Sequence, residues 1–242
     1  MIAFLNGAWI EEDLAVVSVR DRGFLHADGV FETALLFRGN YFHLDAHLDR
    51  LASSAALLGI PLPSSKDLTA VAREIAARNA LMEASLRITA TAGAAGQPGS
   101  VLVTIAERDR AWIAKAERGW SIITAQTTRP SIAAVPAQLK ALGRTYALLA
   151  RREAQIAGVD DALLLTDSGM VCEGPAWNVF WRIGSAVYTP ALELGVLSGI
   201  TRSILMDTAR AAGYDVHEGA FPRAVLDDAD EIFATMTSVG IA

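Results

Sequence analysis

The spacing of apolar residues changes period along the first hundred positions. Ala3, Phe4 and Leu5 face Trp9 and Ile10 across Asn6-Gly7. Leu35, Leu36 and Phe37 face Tyr41 and Phe42 across Gly39-Asn40, and such short turns predict antiparallel hairpins. From Leu44 the spacing becomes helical, with Leu44, Leu48, Leu51, Ala55 and Leu58 on one face and Gly59 and Pro61 as the stop. A second helix is expected over 67–81, with Leu68, Val71, Ile75 and Ala76 inward. Two β-branched stretches, 86–91 and 101–105, return to a sheet around a glycine-rich turn at 93–99.

A charged stretch at 107–120 is the candidate boundary between an N-terminal domain, 1–118, and a C-terminal domain, 119–242. Beyond it the pattern predicts a strand at 120–124, an irregular stretch with two prolines at 129–136, a helix at 146–156 and a strand at 162–166. A hairpin of 179–183 with 186–188, a helix over 199–212 and a last strand at 231–234 follow. The expected fold class is α/β (α+β), two domains of mixed sheets and helices.

Composition narrows the class of protein. Apolar residues make up 52% and charged residues 20%, so burial can offset chain entropy and the chain is globular. Every apolar run breaks before the roughly 20 residues of a membrane span, and no membrane association is expected. A net charge of -6 gives no attraction to phosphate backbones, which argues against nucleic acid. The start, Met1-Ile2-Ala3-Phe4-Leu5-Asn6-Gly7, lacks the order of a secretory signal, and Cys172 is the single cysteine; a cytoplasmic location is expected.

Four separated features could serve one cofactor. Lys140 is one of three lysines beside eighteen arginines, and its apolar neighbours Leu139, Ala141 and Leu142 favour a neutral, nucleophilic amine. Alone, it would more often be a surface lysine before a helix. Glu173 precedes the apolar strand Val179-Phe180-Trp181, where a buried carboxylate needs a cation such as a protonated ring nitrogen; a solvated turn glutamate is the alternative. The loop Gly195 to Arg202 opens a helix whose free N–H groups suit a phosphate, or is an ordinary start capped by Ser198 or Thr201. Thr237 and Ser238 could add donors to the same group. Arg50 could add a bidentate charge, or lie on the surface near Asp45 and Asp49. An amine, a ring-nitrogen carboxylate and a phosphate site are what pyridoxal 5'-phosphate requires. The scattered histidines, with one cysteine, give no metal-ligand spacing, and no metal is expected.

Together these blocks resemble the class IV aminotransferases, the fold type IV pyridoxal phosphate enzymes. The resemblance runs from Asp21-Arg22-Gly23-Phe24 and Asp28-Gly29-Val30-Phe31-Glu32-Thr33 through His47-Leu48-Asp49-Arg50-Leu51 to Leu139-Lys140. It continues through Glu173-Gly174, Asn178-Val179-Phe180, Tyr188-Thr189-Pro190 and Gly195 to Arg202. It implies two α/β domains with the cofactor between them, a homodimer, and an internal imine on Lys140. It further implies that Glu173 contacts the pyridine nitrogen, that Arg50, Ile200, Thr201 and Thr237 hold phosphate, that Leu197 packs on the ring, and that Asn178 lies near the cofactor. His26, Phe31, Arg87 and Tyr146 are the substrate-pocket candidates.

The departures bear on the substrate. After the lysine, members often carry asparagine then tyrosine, where this chain has Gly143-Arg144-Thr145-Tyr146; the Tyr-x-Arg pattern of the branched-chain enzymes is absent around Arg87. The chain ends soon after Thr237-Ser238, where relatives usually continue for another strand and helix. The implied activity is transamination from an amino acid or amine to a 2-oxo acid. The alternatives are an aminodeoxychorismate lyase releasing pyruvate and 4-aminobenzoate, and a catalytically silent cofactor-binding protein.

Overall fold

The computed structural model describes all 242 residues as two compact units, Met1–Asp109 with Gln138–Gly143, and Arg110–Ala137 with Arg144–Ala242. In the first unit the strands are β1 (Ile2–Leu5), β2 (Ala8–Glu11), β3 (Gly29–Phe37), β4 (Asn40–Tyr41), β5 (Ala84–Thr91) and β6 (Val101–Glu107). They form one antiparallel sheet in the order β2-β1-β6-β5-β3-β4. The first hairpin turns through Asn6 and Gly7, both at positive φ (51° and 92°), a conformation these two residue types tolerate best.

Three helices, α1 (Arg22–His26), α2 (Leu44–Leu58) and α3 (Ser65–Arg78), complete this unit. The expected inward face of α2 is buried at Leu44, Leu48, Leu51 and Ala55, whereas Leu58 in its last turn is exposed. Helix α3 starts where the Ser64 hydroxyl accepts the Asp67 N–H, and stops at Arg78, three residues short of expectation. Asn79 accounts for the stop: its amide nitrogen donates to the Ile75 and Ile2 carbonyls and its Oδ1 accepts the Ile2 N–H, tying the helix end to β1. Alternate residues of β3 (Val30, Ala34, Leu36) and β5 (Leu86, Ile88, Ala90) form one core with α2 and α3.

The second unit begins with α4 (Arg110–Arg118), inside the stretch expected to be a charged boundary. Its Ala, Glu, Lys and Arg residues are good helix formers, and Trp112 packs on Trp120 at 4.7 Å, so charge there marks a solvated helix face. β7 (Ile122–Thr124) pairs in parallel with β8 (Asp161–Leu163), with α5 (Thr145–Ala157) intervening in sequence. A five-stranded sheet contains β9 (Asn178–Ile183), β10 (Ala186–Pro190), β11 (Asp215–Gly219), β12 (Glu231–Met236) and β13 (Gly240–Ile241), in the order β11-β10-β9-β12-β13. Helix α6 (Ile200–Ala211) carries the chain from β10 to its parallel neighbour β11, a strand too polar for its pattern to announce. No helix is long and apolar enough to cross a membrane.

Candidate active site

In the first unit, residues 138–142 lie along the free half of β3, where β4 does not reach. The Phe31 N–H donates to the Lys140 carbonyl at 3.1 Å and the Leu142 N–H to the Gly29 carbonyl at 2.9 Å. From α2, the buried Ser54 hydroxyl accepts the Lys140 N–H at 3.2 Å and donates to the Gln138 carbonyl at 3.1 Å. Lys140 is thus fixed at its backbone by a strand on one side and a helix hydroxyl on the other. Its Nζ lies 5.0 Å from the Phe31 ring centroid, and the Arg87 guanidinium of β5 lies 4.0 Å from the same centroid. An amine and a guanidinium therefore share one aromatic platform.

On the opposite, core-facing side of β3 sits Glu32, where strand alternation calls for an apolar residue. Two side chains of α2 satisfy it. His47 Nδ1 donates at 2.8 Å, and Arg50 clamps both carboxylate oxygens, Nε to Oε1 at 2.6 Å and Nη2 to Oε2 at 2.9 Å. Burial alone would raise the Glu32 pKa; the hydrogen bonds from His47 and Arg50 and the charges of Lys140 and Arg50 outweigh it and bring the value to about 2. Burial lowers the His47 pKa, which favours the neutral ring, and because the ionised Glu32 carboxylate can only accept, the proton of that ring sits on Nδ1.

In the second unit, Glu173 is buried and accepts three donors. Arg129 Nε lies 3.0 Å from Oε1, and Oε2 takes the Leu197 N–H at 2.9 Å and Asn178 Nδ2 at 3.4 Å. Burial pushes the carboxyl's pKa up, while Arg129, the Leu197 N–H and Arg144 pull it back. Three donors and no acceptor suit the ionised form, and a carboxylate has about four acceptor positions, so Oε1 retains room for one further donor such as a protonated ring nitrogen. The cation that burial demands is Arg129, whose guanidinium also lies 4.8 Å from the centre of the Tyr146 ring.

Asn178 gathers the remaining candidates of this unit. Its Nδ2 also donates to the Leu197 carbonyl at 2.9 Å, it lies opposite Thr235 on β12, two residues before Thr237, and its Oδ1 packs against Gly199. Gly199 precedes α6, whose first N–H groups, at Ile200 and Thr201, lack a side-chain cap. A helix start of this kind fits a phosphate. Arg144, in the stretch that departs from the family pattern, donates to the Pro175 carbonyl. His26 ends α1 and is exposed.

Two partners escape the sequence pattern. Arg129 stands in an irregular stretch with nothing to mark it as buried, and Ser54 reads as one more small residue of α2. The couple of Glu32 with His47 carries a signal that could have been found, because a carboxylate on the apolar face of a strand must find a donor.

Residues 29–242 match the family model described as amino-transferase class IV. A putative branched-chain-amino-acid aminotransferase of Methanocaldococcus jannaschii is 34% identical over 251 residues, spanning 100% of this chain and 86% of the relative. A D-alanine aminotransferase of Bacillus licheniformis is 30% identical over 100% of this chain and 86% of its own length. An aminodeoxychorismate lyase of Bacillus subtilis is 29% identical over 96% and 82%. Among solved structures, the branched-chain amino acid aminotransferase of Escherichia coli superposes with a TM-score of 0.95 at 25% identity, covering 100% of this chain and 84% of that one. A hypothetical aminotransferase from Mycobacterium tuberculosis, in its PLP-bound form, has a TM-score of 0.92 at 27% identity over 100% and 89%. The chain belongs to the class IV aminotransferases. It is an enzyme of fold type IV, its cofactor is pyridoxal 5'-phosphate, and its reaction is transfer of an amino group to a 2-oxo acid.

Proposed function

We propose that both substrates carry a carboxylate, an amino acid as donor and a 2-oxo acid as acceptor, and that Arg87 anchors it beside the working amine of Lys140. The observation behind this reading is the shared platform: Lys140 Nζ and the Arg87 guanidinium lie 5.0 and 4.0 Å from the Phe31 ring centroid. A guanidinium there matches a carboxylate's two oxygens and holds the adjacent carbon in register with the amine.

Bound pyridoxal phosphate supplies an electron sink that lets a C–H bond next to nitrogen break. The protein's part is to hold that group and to move the proton. Lys140, its backbone immobilised by Phe31 and Ser54, accepts and returns a proton at Nζ. Glu173 would hold the ring nitrogen through its remaining acceptor position. The α6 start at Ile200 and Thr201, with Thr237, Ser238 and Arg50, would hold the phosphate, and Leu197 would pack on the ring. In the second unit Tyr146 braces the Arg129 that faces Glu173. His26, exposed on the first unit, would contact substrate.

Lys140→Ala should abolish turnover of every donor. In the donor half-reaction measured without acceptor, Arg87→Ala should raise the half-saturating concentration of amino acids about tenfold or more, consistent with the loss of a charge-assisted contact, while leaving that of amines without a carboxylate unchanged. Equal losses on both donor classes would refute the carboxylate role.

The working form is a homodimer in the cytoplasm. Leu14, Val16, Val17, Val19, Phe24 and Leu25 are all exposed on one stretch of the first unit, apolar surface that a second copy would cover. Sedimentation should give twice the chain mass, falling to the single mass in the Val16→Lys, Val19→Lys double variant; a monomeric wild type ends the proposal.

A further inference from the structure

We infer that Glu32, braced by His47, is a positioning residue for Arg50, and that this buried couple sets how strongly the protein prefers phosphorylated over unphosphorylated pyridoxal. The inference rests on the reading that Arg50 binds the cofactor's phosphate. Glu32 occupies the core-facing side of β3 between Val30 and Ala34, where an apolar side chain would avoid the cost of burying a charge. What the carboxylate does there is specific. Its two oxygens take Nε and Nη2 of Arg50 at 2.6 and 2.9 Å, which fixes the guanidinium plane and leaves the long side chain little rotamer freedom.

His47 has the same character. Its side chain is completely buried, its Nδ1 is committed to Glu32 at 2.8 Å, and its Nε2 is buried without a hydrogen-bond partner. Such a group is costly to place for packing alone; its committed nitrogen orients Glu32. Residues 47 and 50 lie one turn apart on α2, so both reach one carboxylate of β3. The guanidinium is thereby ordered before any ligand arrives, and the ordering cost is not charged to phosphate binding. Because the couple acts through Arg50, it should affect the phosphate and leave affinity for the rest of the cofactor alone.

The test is equilibrium binding of pyridoxal 5'-phosphate and of pyridoxal to the cofactor-free full-length protein, read as the preference for the phosphorylated form, Kd of pyridoxal over Kd of pyridoxal 5'-phosphate. Arg50→Gln should lower that ratio, which establishes the phosphate contact. Glu32→Gln, of equal size but uncharged, should lower the ratio about tenfold with pyridoxal affinity unchanged, as expected for one charge-assisted interaction. His47→Gln should lower it about threefold, as expected for one neutral hydrogen bond. A ratio at or above the wild-type value in Glu32→Gln, with a reduced one in Arg50→Gln, overturns the inference while sparing the phosphate reading. An unchanged ratio in Arg50→Gln removes both. Should Glu32→Gln fail to fold, His47→Gln decides, and an unchanged ratio there is equally fatal.

Discussion

Gly199 has no room for a side chain, since a Cβ there would collide with Asn178 Oδ1. Its backbone, at φ -70° and ψ 134°, suits any residue, so the glycine is required by its neighbours, Asn178 foremost and the Arg202 Cβ at 3.2 Å second. Gly199→Ala should displace Asn178 from Glu173 and from the Leu197 carbonyl, lowering cofactor affinity by about tenfold or more with little change in global unfolding. Spectral titration with pyridoxal phosphate reads this, and wild-type affinity would remove Asn178 as organiser of the second unit's site. At this scale the sequence separates what a residue is from what it meets. Lys140 and Glu173 stand out by type and surroundings, but Arg129 does not, because its role depends on a burial that the loop around it does not encode. The sequence predicts a ring nitrogen as the cation beside Glu173, and the chain supplies Arg129 as one of its own.

Helices and strands are legible where one face of a period is apolar, as in α2, and less so where a polar contact sets a boundary. The end of α3 is decided by three hydrogen bonds of Asn79 to positions on two elements, invisible to spacing along one of them. α4 reads as a boundary because charge dominates its outer face, and β11 escapes the pattern because an edge strand can be polar. The placement of Lys140 belongs to the same scale. Six residues, 138–143, leave their sequence neighbours to join the first unit, and Ser54 receives them by donating to Gln138 and accepting from Lys140. A hydroxyl doing both jobs within α2 fixes the Lys140 backbone without another strand.

Across the whole molecule the buried ionisable groups divide by unit, and so should the response to acid. In the first unit, His47 has a lowered pKa and Glu32 one lowered from 4.5 to about 2. The unfolded chain then binds protons that the native unit refuses, at His47 once pH falls through about 6.5 and at Glu32 between about 4.5 and about 2, so stability falls on acidification. In the second unit, burial raises the carboxyl pKa values of Glu173 and Asp161, so at these two buried groups the native unit binds protons more tightly than the unfolded chain and mild acid favours it there, against the opposite contribution of the partly exposed Glu153 and Asp160. From pH 7 to pH 4.5, amide protection in α2 should therefore fall relative to protection in β9, once intrinsic exchange rates are corrected for pH. Glu32→Gln should leave the fall near pH 6 in place and remove the further loss below about pH 4.5. If the two elements keep a constant ratio of protection across that range, the charges of these buried groups do not govern the stability of their units.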